Sequence, residues 1–270
     1  MGTANQSRPL AAVTGASSGI GYELARQFAR AGYDLVVCSE DPGIEIAAQT
    51  FEDDGARVNA VRVDLRRPEG VEQFYAAVRN VGAPLEAIAL NAGVGVLGDF
   101  TRETDLSDEL AMIHLNVVST VHLAKLAAQD MVARGRGKIL ITASVAGTMP
   151  TPLMAVYGAT KAFDLSFAAS LRHELKDTGV SVTALLPGPT DTEFFEREGG
   201  ADTKAAEVAE KNDPADVAKQ GFDALMAGKD RVYGATSLGT KLQGMTARFV
   251  PESVKAAMHE KMAEHGSRGK

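Results

Sequence analysis

Along the chain, short runs of β-branched and aliphatic residues alternate with longer stretches in which apolar positions recur every three to four residues. The short runs fall at 10–14, 34–38, 57–63, 85–90, 138–142 and 181–186, with a weaker one at 231–233. Several show no polar alternation, as strands covered on both faces do, so they predict a parallel sheet. Helical periodicity predicts helices over 19–31, 44–53, 68–81, 106–133, 154–176 and 214–226, and a charged amphipathic one over 252–264. Pro68 suits a first helical turn, and the Lys176-Asp177-Thr178-Gly179 stretch suits a helix end. Strand and helix in alternation, joined by short connections, imply right-handed crossovers and a doubly wound α/β fold with helices on both faces.

The rhythm breaks after Leu186. Pro187-Gly188-Pro189 is expected to stop strand pairing, and the polar stretch 191–212, without a clear period, reads as a mobile substrate loop at the C-terminal edge of the sheet. Residues 238–270 read as a C-terminal helical extension. No internal repeat is present, and one domain over 1–270 suffices for a chain of 270 residues.

Composition narrows the function classes. With 45% hydrophobic and 23% charged residues the chain is ordinary for a soluble globular protein. A formal net charge of -7 opposes nucleic-acid binding, which draws on clustered Lys and Arg. The single cysteine, Cys38, can form neither an internal disulfide nor a metal or redox pair, and reads as a small apolar strand residue. The first ten residues lack the apolar stretch of a signal peptide and no long uninterrupted apolar run follows, so no membrane association and a cytoplasmic location are expected.

The first strand runs directly into Thr14-Gly15-Ala16-Ser17-Ser18-Gly19-Ile20-Gly21 and then a helix. Gly15 permits a tight turn, Gly19 a close backbone approach to a pyrophosphate, and Gly21 close helix–sheet packing. The helix N-terminus presents unpaired N–H groups to the anion. Between a strand and a helix, these glycines point to a dinucleotide site and a Rossmann-type sheet. The second strand leads into Ser39-Glu40-Asp41, two acids with no base, a sign of charge that favours NAD over NADP.

Tyr157 and Lys161 stand four residues apart at the start of a predicted helix, hence on one face. A neighbouring ammonium favours the phenolate, so the pair can exchange a proton with an alcohol or carbonyl oxygen. Ser144 closes the strand at 138–142, on the sheet edge where ligands of doubly wound folds bind, and its hydroxyl suits a substrate oxygen. Thr142 offers a competing hydroxyl, which strand parity or its earlier position tends to bury.

Taken in order, Thr14 to Gly21, Asp64, Asn91-Ala92-Gly93, Asn116, Ser144, Tyr157 with Lys161, and Pro187-Gly188 resemble the short-chain dehydrogenase/reductase family in its branch of ordinary length. The resemblance implies that Tyr157 is the acid/base, that Ser144 positions the reacting oxygen, and that Lys161 tunes Tyr157 and binds the nicotinamide ribose. It implies that Asn116 holds a water continuing the proton relay. On the cofactor side it implies Ser17, Ser18 and Ile20 beside the glycines, Ser39 and Glu40 at the adenosine ribose, and Asp64 with Leu65 at the adenine. Asn91, Ala92 and Gly93 would line the cleft, and Pro187, Gly188, Thr190 and Thr192 the nicotinamide end. In the family, NADP users often carry Arg where Glu40 stands and NAD users Asp where Ser39 stands; this chain has neither.

The expected function is therefore an NAD(P)-dependent alcohol dehydrogenase or carbonyl reductase, against the alternative of a non-catalytic dinucleotide-binding sensor or regulatory protein on the same fold. Val94, Val96, Leu97, Met149, Leu153, Met154, Phe194 and Phe195 suggest an apolar pocket for a hydrophobic alcohol or ketone. His114 and His122 have no partner at ligand spacing, so no metal is expected. The apolar faces of 106–133 and 154–176 exceed what one sheet covers, and by the resemblance predict a homodimer or homotetramer.

Overall fold

The computed structural model describes residues 8–190 and 212–234. The expectations for the loop at 191–212, Asn212 apart, for the extension at 238–270, and for Thr192, Phe194 and Phe195 lie outside the described residues.

The elements follow one another as β1 (Leu10–Thr14), α1 (Gly19–Arg30), β2 (Asp34–Ser39), α2 (Gly43–Asp53), β3 (Val58–Arg62), α3 (Pro68–Asn80), β4 (Leu85–Leu90), α4 (Leu106–Ile113), α5 (Ser119–Arg134), β5 (Gly137–Thr142), α6 (Ala155–Glu174), β6 (Val180–Pro187), α7 (Pro214–Met226) and β7 (Arg231–Gly234). The seven strands form one sheet in the order β3-β2-β1-β4-β5-β6-β7, and every pairing is parallel. The order reverses between β1 and β4, which opens a crevice at their C-terminal ends.

Period-two alternation sends the buried residues of the inner strands to one of two cores. Leu10 and Ala12 of β1 face Phe74, Tyr75, Leu123, Met131 and Ala168 of α3, α5 and α6. Ala11 and Val13 face Leu24, Phe28, Ile44, Phe51, Val217 and Leu225 of α1, α2 and α7. Phe28 and Phe222 meet edge to face with ring centroids 5.1 Å apart, joining α1 to α7.

Three boundaries differ from the sequence pattern. The helix expected over 106–133 is interrupted by a π-helical segment, His114–Val118, before α5 resumes. Ser119 and Thr120 send their hydroxyls back to the Leu115 and Asn116 carbonyls, satisfying acceptors that the bulge disturbs. The 29-residue stretch Leu106–Arg134 has the length and hydropathy to cross a membrane, yet Met112, Leu123, Ala127 and Met131 are buried in the described structure.

The helix expected over 154–176 ends at Glu174, where the Lys176 and Thr178 N–H groups turn back to His173 and Leu175. Pairing does not stop before Pro187, which stands opposite Gly234 in the β6–β7 ladder. Leu185 O accepts from Ala143 N on the β5 side, whereas Gly188 N donates to Gly234 O on the β7 side. By this alternation Pro187 faces the β5 side beyond Thr142, where β5 has ended, so its missing donor costs the ladder nothing.

Candidate active site

The glycine turn forms as its sequence implies. Gly15 and Gly19 adopt φ of +66° and +58°, values other residues reach only with strain. A Cβ on Gly21 would overlap the Gly15 carbonyl and the Asn91 side chain, and one on Gly15 would stand 2.9 Å from Ala92 Cα. Ser18 precedes α1 without capping it, and the first turn holds no acidic residue, so its N–H donors suit an anion. The cradle fits a dinucleotide pyrophosphate on these grounds.

The ends of the central strands are cross-tied around this turn. Thr14 Oγ1 accepts from Asn91 N at 2.9 Å and Ala92 N at 3.0 Å. The Asn91 amide reaches back to Thr14 O at 3.3 Å and accepts from Thr142 Oγ1 at 3.1 Å, so one side chain links β1, β4 and β5. Thr142 is buried, the tendency expected from strand parity or its earlier position.

Beside the end of β2, Ser17 Oγ and Ser39 Oγ are 3.0 Å apart, and Asp41 Oδ1 accepts from Gly43 N at the start of α2. The premise that two acids stand there without a base is corrected by the structure. Arg66 Nη2 lies 2.6 Å from Glu40 Oε2, and Arg62 Nε donates to the Glu40 carbonyl at 3.0 Å. Both arginines come from β3 and the turn after it, more than twenty residues along the chain, and parallel pairing of β2 with β3 brings them in. The local charge is balanced, so its sign no longer favours NAD. Asp64 accepts from the Arg66 backbone N at 2.9 Å and from its Nε at 2.8 Å. Burial raises the Asp64 carboxyl, but these bonds outweigh it and hold the carboxyl below its ordinary value. Leu65 is buried in the hydrophobic core.

The proton-transfer candidates gather at the C-terminal ends of β4 and β5. Ser144 is buried, and its Oγ accepts from Ala146 N at 3.1 Å, which orients the hydroxyl at the start of the 3-10 turn Val145–Thr148. Tyr157 and Lys161 are buried on α6 at 8% and 4% exposure, so both lie largely out of bulk water. Lys161 Nζ donates to Thr142 O at 2.9 Å and contacts Asp164 Oδ2 at 3.1 Å. Asn116, on the π segment, is fully buried. Its Oδ1 accepts from Val94 N at 3.0 Å, and its Nδ2 donates to Val94 O at 2.8 Å and to Thr160 Oγ1 at 3.0 Å. Thr160 Oγ1 donates in turn to Tyr157 O at 2.7 Å. A Cβ on Gly93 would lie 3.2 Å from Asn116 Oδ1 and 3.4 Å from Lys161 Nζ, so Gly93 is the narrow floor between them.

Two glycines that the sequence reading passed over fix this geometry. A Cβ on Gly147 would stand 2.6 Å from the Lys161 carbonyl, and one on Gly158 would overlap Thr151 Oγ1. The loop carrying Ser144 is thereby pressed against the helix carrying Tyr157. Gly98 N donates to Leu153 O at 2.8 Å, joining the two loops that carry Val94, Val96, Leu97, Met149, Leu153 and Met154, all half-buried. Leu153 holds φ at +66°, a strained value for a side-chain residue.

At the end of β6, Thr190 Oγ1 donates to Gly188 O at 2.8 Å, and Thr190 bridges to Asn212. Thr160, Asp164, Arg62 and Arg66 were not singled out from sequence. Thr160 and Asp164 share the helix of Tyr157 and Lys161, whereas the arginines left no local signal. His122 Nε2 lies 2.8 Å from Glu72, and among the described residues no three His, Cys, Asp or Glu side chains gather as a metal site.

A doubly wound parallel sheet with this glycine turn and edge cluster defines an oxidoreductase of the Rossmann type. The model of the family described as short chain dehydrogenase matches residues 9–202, and the chain belongs to that family. It is 36% identical over 231 residues to 1-deoxy-11-beta-hydroxypentalenate dehydrogenase of Streptomyces exfoliatus, covering 83% of this chain and 81% of that protein. It is 32% identical over 199 residues to sulfoacetaldehyde reductase 2 of Chromohalobacter salexigens, covering 73% and 78%. A solved short-chain dehydrogenase from Sphingobium yanoikuyae, in complex with NADPH, superposes with a TM-score of 0.79 at 28% identity, covering 97% of this chain and 98% of that one.

Proposed function

We propose that this chain is an NAD(P)-dependent alcohol dehydrogenase or carbonyl reductase in which Tyr157 exchanges the proton with the substrate oxygen. The observation that carries this is the buried group Ser144, Tyr157, Lys161 and Asn116, held together by Thr160, Gly147 and the Thr142 carbonyl at the crevice of the sheet. The Lys161 ammonium, out of water, favours the phenolate of Tyr157 and so eases proton removal from an alcohol. Ser144, whose oxygen already accepts from Ala146 N, has its proton to give to the substrate oxygen. Asn116 would continue the relay through a water, and Lys161 would also bind the nicotinamide ribose.

Bound nicotinamide supplies or accepts hydride at the substrate carbon. Gly15 to Gly21 would hold its pyrophosphate, Ser39, Glu40 and Asp64 its adenosine, Asn91 would line the cleft, and Pro187, Gly188 and Thr190 would hold the nicotinamide end. The NADPH bound by the Sphingobium relative supports a dinucleotide of this class. With Arg62 and Arg66 balancing the acids, both NAD and NADP are to be tried.

The half-buried aliphatic residues of the joined loops support a hydrophobic secondary alcohol or ketone as substrate. Exposed Leu110, Val118, Val121 and Val132 of the long helix and Phe163 of α6 support a homodimer or homotetramer through these helices, which light scattering tests. The deciding experiment is Tyr157→Phe. Turnover is expected to fall by about 10²- to 10⁴-fold while dinucleotide affinity is kept, and unchanged turnover would defeat the proposal.

A further inference from the structure

Asp164 is a buried charge to which the proposed chemistry gives no part. It lies three residues past Lys161 on α6 and is 1% exposed, with Oδ2 3.1 Å from the lysine Nζ. Its Oδ1 has no hydrogen-bond partner among the described residues. Burial pushes this carboxyl above its ordinary value, and the Lys161 charge pulls it back.

The surroundings leave Lys161 as the charge in contact with it. β6 and the 3-10 turn carry no titratable side chain. On β5, Lys138 donates to Met226 O. The π segment brings His114, which is exposed, and α4 brings exposed Asp108 and buried Glu109. On α6 itself, Arg172, His173 and Glu174 lie at the far end of the helix.

A lone ammonium beside a phenol draws the proton off it. A carboxylate 3.1 Å from that ammonium turns the charge into a dipole, whose field fades faster with distance. We propose that Asp164 is a positioning residue that anchors the Lys161 ammonium and offsets its charge, so that Tyr157 keeps its proton to higher pH than beside an unpaired lysine. This rests on Tyr157 being the acid/base. It suits the reductive direction near neutral pH, in which Tyr157 must hold the proton that passes to the carbonyl oxygen.

The test is to titrate tyrosinate absorbance in the protein without dinucleotide, subtracting the Tyr157→Phe variant to isolate this phenol from the other four tyrosines. Asp164→Asn keeps the size and removes the charge. It is expected to lower the Tyr157 midpoint by about one pH unit, the effect of one charge about 10 Å away, the rise of seven helical residues, in an effective dielectric of about 20. The pH profile of turnover is expected to move the same way. The double variant Lys161→Met with Asp164→Leu removes the pair together and is expected to raise the midpoint by less than about one unit, the part of the lysine's pull that Asp164 leaves. It also serves should Asp164→Asn not fold.

Equal midpoints in Asp164→Asn and the parent would overturn the proposal, as would a double variant whose midpoint rises by a full unit. Turnover surviving Tyr157→Phe would instead remove the acid/base role and leave the titration readable.

Discussion

Replacing Gly158 by Ala puts a methyl group where the Ser144 loop meets the helix of Tyr157. The new Cβ would overlap Thr151 Oγ1 and lie 3.0 Å from its Cβ and Cγ2, where carbon pairs rest at about 3.5–4.0 Å. Thr151 is 5% exposed and its hydroxyl donates to Met154 O at 2.9 Å, so rotating it away breaks that bond without a compensating water. The bond is worth about 1 kcal/mol, and overpacking adds roughly 1–3 kcal/mol. Against this, Ala is favoured over Gly in a helix by up to about 1 kcal/mol. The clash outweighs the propensity, and a net destabilisation of about 1–3 kcal/mol is expected, read as a lower midpoint in urea. If α6 moves to relieve the contact, Tyr157 moves with it, and a displacement of about 1 Å is enough for a turnover loss near 10²-fold. Thr151→Ala removes the clashing oxygen and methyl, so the double variant is expected to recover much of both losses. A Gly158→Ala protein that is more stable than its parent and equally active would refute the close approach.

Other consequences are open to measurement. Cys38 is fully buried and burial raises its thiol, so it is expected to react with thiol reagents only as fast as the protein unfolds; rapid labelling of the native protein would contradict its place in β2. Burial raises the Asp130 carboxyl, but hydrogen bonds from Arg79 and Tyr75 outweigh it and lower it below the ordinary value. Its folded-state pKa thus lies under the unfolded value of about 3.9, so its contribution is complete above about pH 5 and is lost as pH falls through the folded-state value. Urea midpoints for Asp130→Asn should therefore fall less steeply below pH 5 than those of the parent. Asn116→Ala leaves the Val94 N–H and carbonyl without their partner, and a loss of about 2–4 kcal/mol is expected in urea unfolding. A stable Asn116→Ala protein would deny the amide its structural role.

Local features of the chain were enough for most of the architecture. The strand runs reappear within one or two residues, because continuous aliphatic stretches can be satisfied only between two helical layers. The glycine turn was legible because positive φ and close backbone approach are demands that few residues other than glycine meet. Tyr157, Lys161, Ser144 and Asn116 were legible through their order along the chain.

Whatever depends on two segments meeting escaped. Arg66 reaches Glu40 only because β3 pairs with β2, which overturned a charge argument made from neighbours in sequence. Periodicity marked a continuous helix where a π segment turns Asn116 toward Val94 and Thr160. Gly147 and Gly158 carry no sign of what they touch. Nothing in the sequence marks Asp164 as the acid from which packing removes water and to which it brings Lys161. The sequence by itself determined which backbone conformations and which layers were possible, because those follow from residue type and period. Only the tertiary structure decided which charges face one another and how far each lies from water, because Coulomb energies depend on distance and burial and not on position in the chain.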